Sequence, residues 1–264
     1  PRSRDEVVSV DALLGRFRDV APVEAVICVI DGSNLQRNLY LASQVLDLGL
    51  PTIVAVNMLD IAERRGITID LAQLEAKLGA PVIGVQAHRR QGVSELKGLL
   101  AKLAADDGES APRKPTVAFP DAFEQEASAL EPELRSVLRE SVRAKVAPRG
   151  LTHRLLFDVG GKLTSSLLSE PAAGGDEKDG KSETAQALAR LAAARQRLTN
   201  AGLAPSKLET ETRYAWIEQT LRDLIEQTEV TEESWTDRID RVLTNRFFGV
   251  VILVAPMLLI FQAV

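Results

Sequence analysis

Three short apolar runs, each followed by a helical pattern, constrain the fold of this chain more than any other feature. The runs cover residues 25–30, 52–56 and 81–85, and none of them has a polar face. Strands of a parallel sheet that helices cover on both faces have this composition. Three strand–helix units in succession predict right-handed crossovers and an α/β fold with a parallel sheet. Residues 3–17 have a helical pattern with no strand before them.

Apolar spacing and capping residues predict the helices between these strands. Apolar side chains recur at helical spacing over residues 35–46 and again over residues 93–103. Asp70 and Gln73 form a capping box for an intervening helix, and Gly79 is placed to end it. Each strand is therefore expected to be followed by one helix.

A polar segment that contains proline, residues 106–116, predicts a linker to a second domain. Beyond it no run has the pattern of a strand, so residues 117–246 are predicted to be all α. Helical spacing in this half begins at Phe123, and Pro132 is expected to kink or restart that first helix. Residues 1–105 then form the α/β domain.

The later elements of the second half follow from caps and apolar stripes. Residues 171–184 contain no large apolar side chain and predict a flexible loop. Apolar positions over residues 188–198 mark the next helix, which Gly202 ends. Ser206 and Glu209 predict a capping box for one more helix. That helix has an apolar stripe at Tyr214, Ile217, Leu221, Leu224 and Ile225.

The last eighteen residues, 247–264, contain no charged side chain. Eighteen helical residues span roughly 27 Å, which is close to the hydrocarbon thickness of a bilayer. The run predicts the start of a transmembrane helix, and a buried core helix or an amphipathic end is the alternative. Arg238, Arg241 and Arg246 lie just before it, which by the positive-inside rule places residues 1–246 on the cytoplasmic side.

Charge and composition exclude several functional classes. With 32 Lys and Arg against 37 Asp and Glu, the formal charge of −5 argues against nucleic-acid binding driven by charge. The single cysteine, Cys28, excludes an internal disulfide, and two histidines leave little for a zinc site. No catalytic triad or carboxylate pair stands out, so no catalytic residue and no metal ligand is assigned.

A motif for reading guanine lies at the end of the second predicted strand, where open parallel sheets bind ligands. The residues are Asn57-Met58-Leu59-Asp60, and Asn-x-x-Asp in this position is typical of GTPases. The Asp60 carboxylate can accept hydrogen bonds from guanine N1–H and from the exocyclic amine, whereas adenine offers no such pair of donors. Asn57 would bond the base edge and tie neighbouring loops together. The alternative is an ordinary loop in which Asp60 only caps a helix.

The third predicted strand ends in Gln86-Ala87-His88. The corresponding loop of GTPases presents a backbone N–H to guanine O6, and Ala87 can supply it. The predicted guanine-binding residues are therefore Asn57, Met58, Asp60, Gln86 and Ala87. His88 is interpreted as an exposed loop histidine.

Phosphate-binding features are missing from these 264 residues. The pattern Gly-x-x-x-x-Gly-Lys-Ser/Thr does not occur. Asp158-x-x-Gly161 imitates the magnesium-side motif of GTPases, but it follows the guanine motifs and lies outside the α/β half. At the end of the first strand, Asn34 is expected to cap the following helix.

Taken in order, these motifs resemble the ferrous-iron transport protein B (FeoB) family. The resemblance rests on the segment from Asn34 to Leu41, on the Asn-Met-x-Asp form of residues 57–60, and on Arg213-Tyr214. It rests also on residues 236–243, which look like the family's entry into its membrane domain.

The resemblance implies a GTP- or GDP-binding part at residues 1–105, a helical domain at 117–246 that modulates nucleotide release, and a membrane domain that moves Fe²⁺. It implies a location in the bacterial inner membrane, contact with lipid, and allows a homo-oligomer. Residues 1–6 look like the stretch just past the family's Asp-x-x-Gly motif. The resemblance thus places the phosphate-binding loop, the first switch and the Mg²⁺ ligands upstream.

A full-length family member would be a GTPase, whereas these residues alone are expected not to hydrolyse GTP, because phosphoryl transfer depends on the phosphate-binding groups. The favoured function is part of a GTP-binding ferrous iron transporter. The alternative is a non-catalytic, membrane-tethered adaptor that keeps a degenerate half of a GTPase.

Overall fold

The structure, a computed structural model, describes residues 4–14, 23–105, 117–138, 146–168, 177–227 and 262. The strands are β1 (Val26–Asp31), β2 (Thr52–Asn57), β3 (Ile67–Ile69), β4 (Val82–Gly84) and β5 (Ile225–Gln227). The helices of the first half are α1 (Arg4–Leu13), α2 (Leu35–Asp47), α3 (Leu59–Arg64), α4 (Leu71–Leu78) and α5 (Val93–Ala105). Those of the second half are α6 (Asp121–Val137), α7 (Pro148–Phe157), α8 (Lys162–Leu168), α9 (Glu177–Asn200) and α10 (Pro205–Leu224).

The three predicted strands form a parallel sheet in the order β1-β2-β4. Val26 pairs with Thr52, and Val54 pairs with Val82. The central strand β2 is buried from Thr52 to Val56, which explains why its sequence has no polar face. The prediction of a parallel α/β sheet is confirmed.

Helix α2 covers one face of this sheet. Its buried residues include Leu35, Leu39, Ala42 and Leu46, which are the positions that the helical spacing predicted. They pack in one cluster with strand residues that include Cys28, whose thiol pKa is raised by burial. Cys28 is therefore a packed core residue.

The cap of helix α4 is only half of the predicted capping box. Asp70 Oδ1 accepts a hydrogen bond from the Gln73 backbone N–H at 2.9 Å, as predicted. The reciprocal bond is absent, because the Asp70 N–H donates instead to the carbonyl oxygen of Leu224 at 3.3 Å. Gly79 ends the helix in the left-handed conformation, with φ of 62°.

The second half is not all helical, which corrects the prediction for residues 117–246. Strand β5 follows α10 directly and pairs antiparallel with β3, a strand that was also not predicted. Ile67 pairs with Gln227 and Ile69 pairs with Ile225. Strands of three residues are too short for the alternation of polar and apolar side chains that identifies longer strands.

Three further helix predictions need correction. Helix α6 runs through Pro132 as one helix and does not restart there. Helix α9 begins at Glu177, so the loop predicted for residues 171–184 is wrong from residue 177 onward. The capping box of Ser206 and Glu209 does not form, since α10 begins one residue before Ser206 and its first bonds go to the Ala204 carbonyl.

The two halves of the chain share buried clusters. Leu48 and Leu50 of the first half lie in one cluster with Phe123 and Leu155 of the second. Ile217 and Leu224 of α10 lie in the cluster of the parallel sheet. Of the same predicted stripe, Leu221 is half-buried and Tyr214 is exposed, and the centroid of the Tyr214 ring lies 5.3 Å from that of the Tyr40 ring.

Several predictions fall outside the described residues. These are the linker at 106–116, the first part of the predicted loop (171–176), the segment 236–243 that carries part of the family resemblance, and the apolar run at 247–264 apart from residue 262. Within the part of the chain that the structure describes, no helix has the length and apolar character needed to cross a bilayer.

Candidate functional site

The five predicted guanine-binding residues lie at one edge of the parallel sheet, where strands β2 and β4 end. Asn57 is the last residue of β2, and Met58 and Asp60 follow it. Gln86 and Ala87 follow β4 by two and three residues. Since both strands run in the same direction, their carboxyl ends meet at this edge.

A hydrogen bond joins the two loops. Asn57 Oδ1 accepts from the backbone N–H of Ala87 at 3.3 Å, a contact between segments that are 30 residues apart. This is the tie between loops that the sequence predicted for Asn57. It also means that the Ala87 N–H, the predicted donor to guanine O6, is already engaged and would have to be shared with a base.

Met58 turns the chain from strand β2 into helix α3. Its φ of 59° is left-handed, which is uncommon for a residue other than glycine. Such backbone strain occurs often at binding and catalytic sites. Met58 also holds the N-cap position of α3, so Asp60 lies inside the first turn and does not act as the N-cap.

The two oxygens of the Asp60 carboxylate differ in their surroundings. Oδ2 lies 3.6 Å from Arg64 Nη2 and 3.9 Å from His88 Nε2. Oδ1 is buried and has no hydrogen-bond partner among the described residues. A buried carboxylate oxygen without a donor is costly, so this atom fits a site whose ligand supplies N–H groups.

Gln86 Oε1 is a second buried acceptor without a partner in the described part of the chain. The Gln86 backbone is fixed, because its N–H donates to the Gln91 carbonyl at 3.0 Å and its own carbonyl accepts from the Gln91 N–H at 3.3 Å. Gly92 closes this turn with φ of 76°, and a Cβ there would overlap the Gly84 carbonyl oxygen. The turn therefore requires glycine at this position.

Two residues at this edge were not predicted as parts of the site. Arg64 lies one helical turn after Asp60 on α3, and this spacing of an acid and a base could have identified the pair. His88 was expected to be exposed, and its side chain is 60% exposed, but it faces Asp60. Oδ2 of Asp60 therefore faces the side chains of both Arg64 and His88.

Two other motifs have structural roles. Asp158 Oδ2 accepts from the Thr164 N–H at 2.7 Å and from its hydroxyl at 2.8 Å, so it caps helix α8. Asn34 does not cap α2 with its side chain, and its carbonyl instead accepts from Asn38 Nδ2 at 2.8 Å. Among the described residues, no three His, Cys, Asp or Glu side chains lie together as a metal site would require.

Comparison with known proteins identifies relatives of the whole chain. Residues 1–100 match the family model described as Ferrous iron transport protein B. The Fe(2+) transporter FeoB of Escherichia coli (strain K12) is 32% identical over 260 residues, which cover 98% of this chain and 29% of the relative. The chain thus spans less than a third of that relative's length.

Solved structures agree with this relationship. The cytosolic domain of L. pneumophila FeoB is 29% identical with a TM-score of 0.61, over 85% of this chain and 74% of that one. A GDP-bound variant of the S. thermophilus FeoB G-domain has a TM-score of 0.63 over 86% of this chain and 76% of that one, and at 22% identity it shows the shared fold. On the sequence match over nearly all of its residues, the chain belongs to the ferrous iron transport protein B (FeoB) family.

Proposed function

We propose that the edge formed by the β2 and β4 loops recognises the base of GTP and GDP. The observation that carries the proposal is the Asp60 carboxylate, which has one oxygen facing Arg64 and His88 and the other buried without a donor among the described residues. Guanine offers N1–H and the exocyclic amine on one edge, and a carboxylate can accept from both. Adenine lacks this pair of donors and would leave the buried acceptor unpaired, which sites of this kind reject strongly.

The other predicted residues support the same ligand. Asn57 sets the distance between the two loops through its bond to Ala87. Gln86 adds a buried acceptor to the loop after β4. The solved S. thermophilus FeoB G-domain is GDP-bound, which is the same class of ligand.

We propose further that the whole protein is a GTP-dependent transporter of Fe²⁺ in the bacterial inner membrane. The E. coli relative is named Fe(2+) transporter FeoB, and the apolar residues 247–264 have the length of a membrane segment. In this proposal residues 1–105 belong to the G domain, 106–116 to a linker and 117–246 to a helical domain that modulates nucleotide release. The last eighteen residues would then begin the first transmembrane helix, in contact with lipid.

The family resemblance also implies Mg²⁺ with the nucleotide. The sequence analysis places the Mg²⁺ ligands upstream of these residues, and within the described part of the chain no three His, Cys, Asp or Glu side chains lie together. The proposed base recognition does not depend on the ion.

Asp60→Asn tests the base site in the protein encoded by the complete gene. The substitution replaces one acceptor by a donor, so GDP should bind more weakly by about 1–3 kcal/mol, which is about 5- to 150-fold. Xanthosine diphosphate should gain affinity, because its C2 oxygen accepts the new donor. Calorimetry gives the dissociation constants for GDP, xanthosine diphosphate and ADP, and these constants measure both effects.

Asp70→Asn is the matched control, since it makes the same change at the cap of α4, where asparagine serves equally well. It should leave all three affinities unchanged. Unchanged GDP affinity in Asp60→Asn, with no gain for the xanthine nucleotide, would refute base recognition by Asp60. Ferrous iron uptake by cells that carry the gene then separates a transporter from the adaptor, which would bind GDP but support no uptake.

A further inference from the structure

The antiparallel pair β3–β5 connects the candidate base site to the end of the helical half. It is separate from the three-stranded parallel sheet. Strand β3 follows helix α3, which carries Asp60, and strand β5 directly follows α10. The directly opposed residues at the centre of the pair are Thr68 and Glu226.

The connection from α3 to β3 has little freedom. The Arg65 N–H donates to the carbonyls of Ile61 and Ala62 at 3.2 and 2.9 Å. The Gly66 N–H donates to the Glu63 carbonyl at 2.9 Å, and the φ of Gly66 is 71°. Because these hydrogen bonds tie Arg65 and Gly66 to helix α3, we expect a displacement of β3 to move α3 as well.

The other side of the pair is tied to helix α10. The last residue of that helix, Leu224, is 2% exposed, and its carbonyl accepts the Asp70 N–H at 3.3 Å. Leu224 and Leu74 belong to the same buried cluster, against which Ile69 packs. The end of α10, the strand pair and the start of α4 therefore form one bonded unit.

A two-stranded pair of this length is marginally stable by itself. Ile67 and Ile69 are half-buried and Thr68 is exposed, so no side chain of β3 is fully buried in the pair. It can open at a cost lower than that of unfolding the parallel sheet. The β3–β5 pair can therefore exist in a closed and an open state.

We propose that the β3–β5 pair positions helix α3, and with it Asp60, for guanine binding. This inference rests on the base recognition proposed above. The closed pair holds α3 in the orientation that the base requires, and binding of the base favours the closed pair in return, since such coupling is reciprocal.

A reversible cross-link tests the proposal in the protein encoded by the complete gene. Cysteines at Thr68 and Glu226 would face each other, and opposed residues of an antiparallel pair have the Cα separation that a disulfide needs. The native Cys28 is buried in β1. The single variants T68C and E226C are the controls.

The readouts are the rate of GDP release and the ratio of GDP to ADP affinity. Locking the pair should slow GDP release at least fivefold, which is the lower end of typical couplings between sites, and reduction should restore the original rate. Thr68→Pro, which removes a backbone donor from β3, should speed release and weaken GDP binding about tenfold. Thr68→Ala should change both by less than about twofold, because its backbone N–H is kept.

Each outcome decides the proposal. A complete cross-link with an unchanged release rate overturns it, as does failure of the cysteines to form a disulfide. If Thr68→Pro does not fold, as judged by circular dichroism, the cross-linked protein decides alone. If Asp60→Asn changes base preference while the cross-link has no effect, base recognition stands and only the coupling is refuted. If the unmodified protein does not discriminate GDP from ADP, both are refuted.

Discussion

Replacing the fully buried Arg213 of helix α10 should be among the most destabilising single changes in this protein. Its guanidinium donates to Asp47 Oδ2 at 2.6 Å, to Ser43 Oγ at 2.9 Å and to Glu209 Oε1 at 3.0 Å. Its side chain is 0% exposed and that of Asp47 is 4% exposed. The pair joins α2 to α10, so it holds the two halves of the chain together.

The cost of Arg213→Met follows from what the substitution leaves behind. Asp47 would keep no donor among the described side chains, because its Oδ1 is already unpaired. Breaking a buried ion pair in this way costs about 3–5 kcal/mol. Ser43 keeps its bond to the Tyr40 carbonyl, and Glu209 keeps its ion pair with Arg154, so the loss is concentrated at Asp47.

Removing both charges should therefore be less harmful than removing one. Well-packed apolar residues in place of a buried pair are often neutral or stabilising. We expect the double variant Asp47→Leu/Arg213→Met to recover at least about 2 kcal/mol relative to Arg213→Met, a coupling within the range for contacting residues. Urea unfolding followed by circular dichroism gives these free energies.

Arg222→Met on the same helix is the matched control. Arg222 donates to Glu218 at 2.9 Å, but its side chain is 72% exposed, so its loss should cost no more than about 0.5 kcal/mol. A cost below about 1 kcal/mol for Arg213→Met, or a double variant as unstable as the sum of the single ones, would refute the assignment of a buried charge pair.

Two further predictions use other buried positions. Burial lowers the pKa of His153 against the opposing effect of Glu124, so the unfolded chain binds more protons and the stability should fall as the pH drops below about 6.5. The urea midpoint should therefore fall less between about pH 7.5 and pH 5.5 in His153→Phe than in the control His88→Gln, which changes the exposed histidine. Gly150→Ala should cost at least about 2 kcal/mol of stability, because its Cβ would overlap the backbone carbonyl of Asp47. Gly98→Ala has open space at the Cβ and should stabilise helix α5 by about 0.5–1 kcal/mol, and thermal unfolding measures both changes.

The elements that could be predicted are those in which burial itself imposes a pattern. Strand β2 is covered on both faces, so its sequence is continuously apolar, and α2 is covered on one face, so Leu39 and Leu46 recur at helical spacing. The pair β3–β5 has only three residues in each strand. The start of α9 at Glu177 was not predictable from apolar spacing, since the first apolar residue buried in that helix is Ala187.

The candidate site also contains some residues that the sequence predicts and others that it does not. Asn57 and Asp60 could be found because their position after a strand is visible in the sequence, and their expected role as base-binding residues remains a prediction. His88 faces Asp60 because of the way the loops after β2 and β4 meet, and nothing in the local sequence specifies this contact. Arg213 gave no signal of burial, because an arginine in a helix is usually solvated and this one is buried only where α2 and α10 converge.

Helix α10 contacts the α/β half at two places, and these should have different consequences. Helix α2 starts near the candidate site and runs away from it, so Asp47 and Arg213 lie toward the opposite edge of the sheet. Leu224 lies eleven residues further along α10, about 16 Å, and contacts the start of α4 near the base site. Loss of the Arg213 pair should therefore lower stability without changing the ratio of GDP to ADP affinity. Opening of β3–β5 should change nucleotide release with a smaller effect on stability, and the reverse result would mean that the buried pair, and not the strands, positions Asp60.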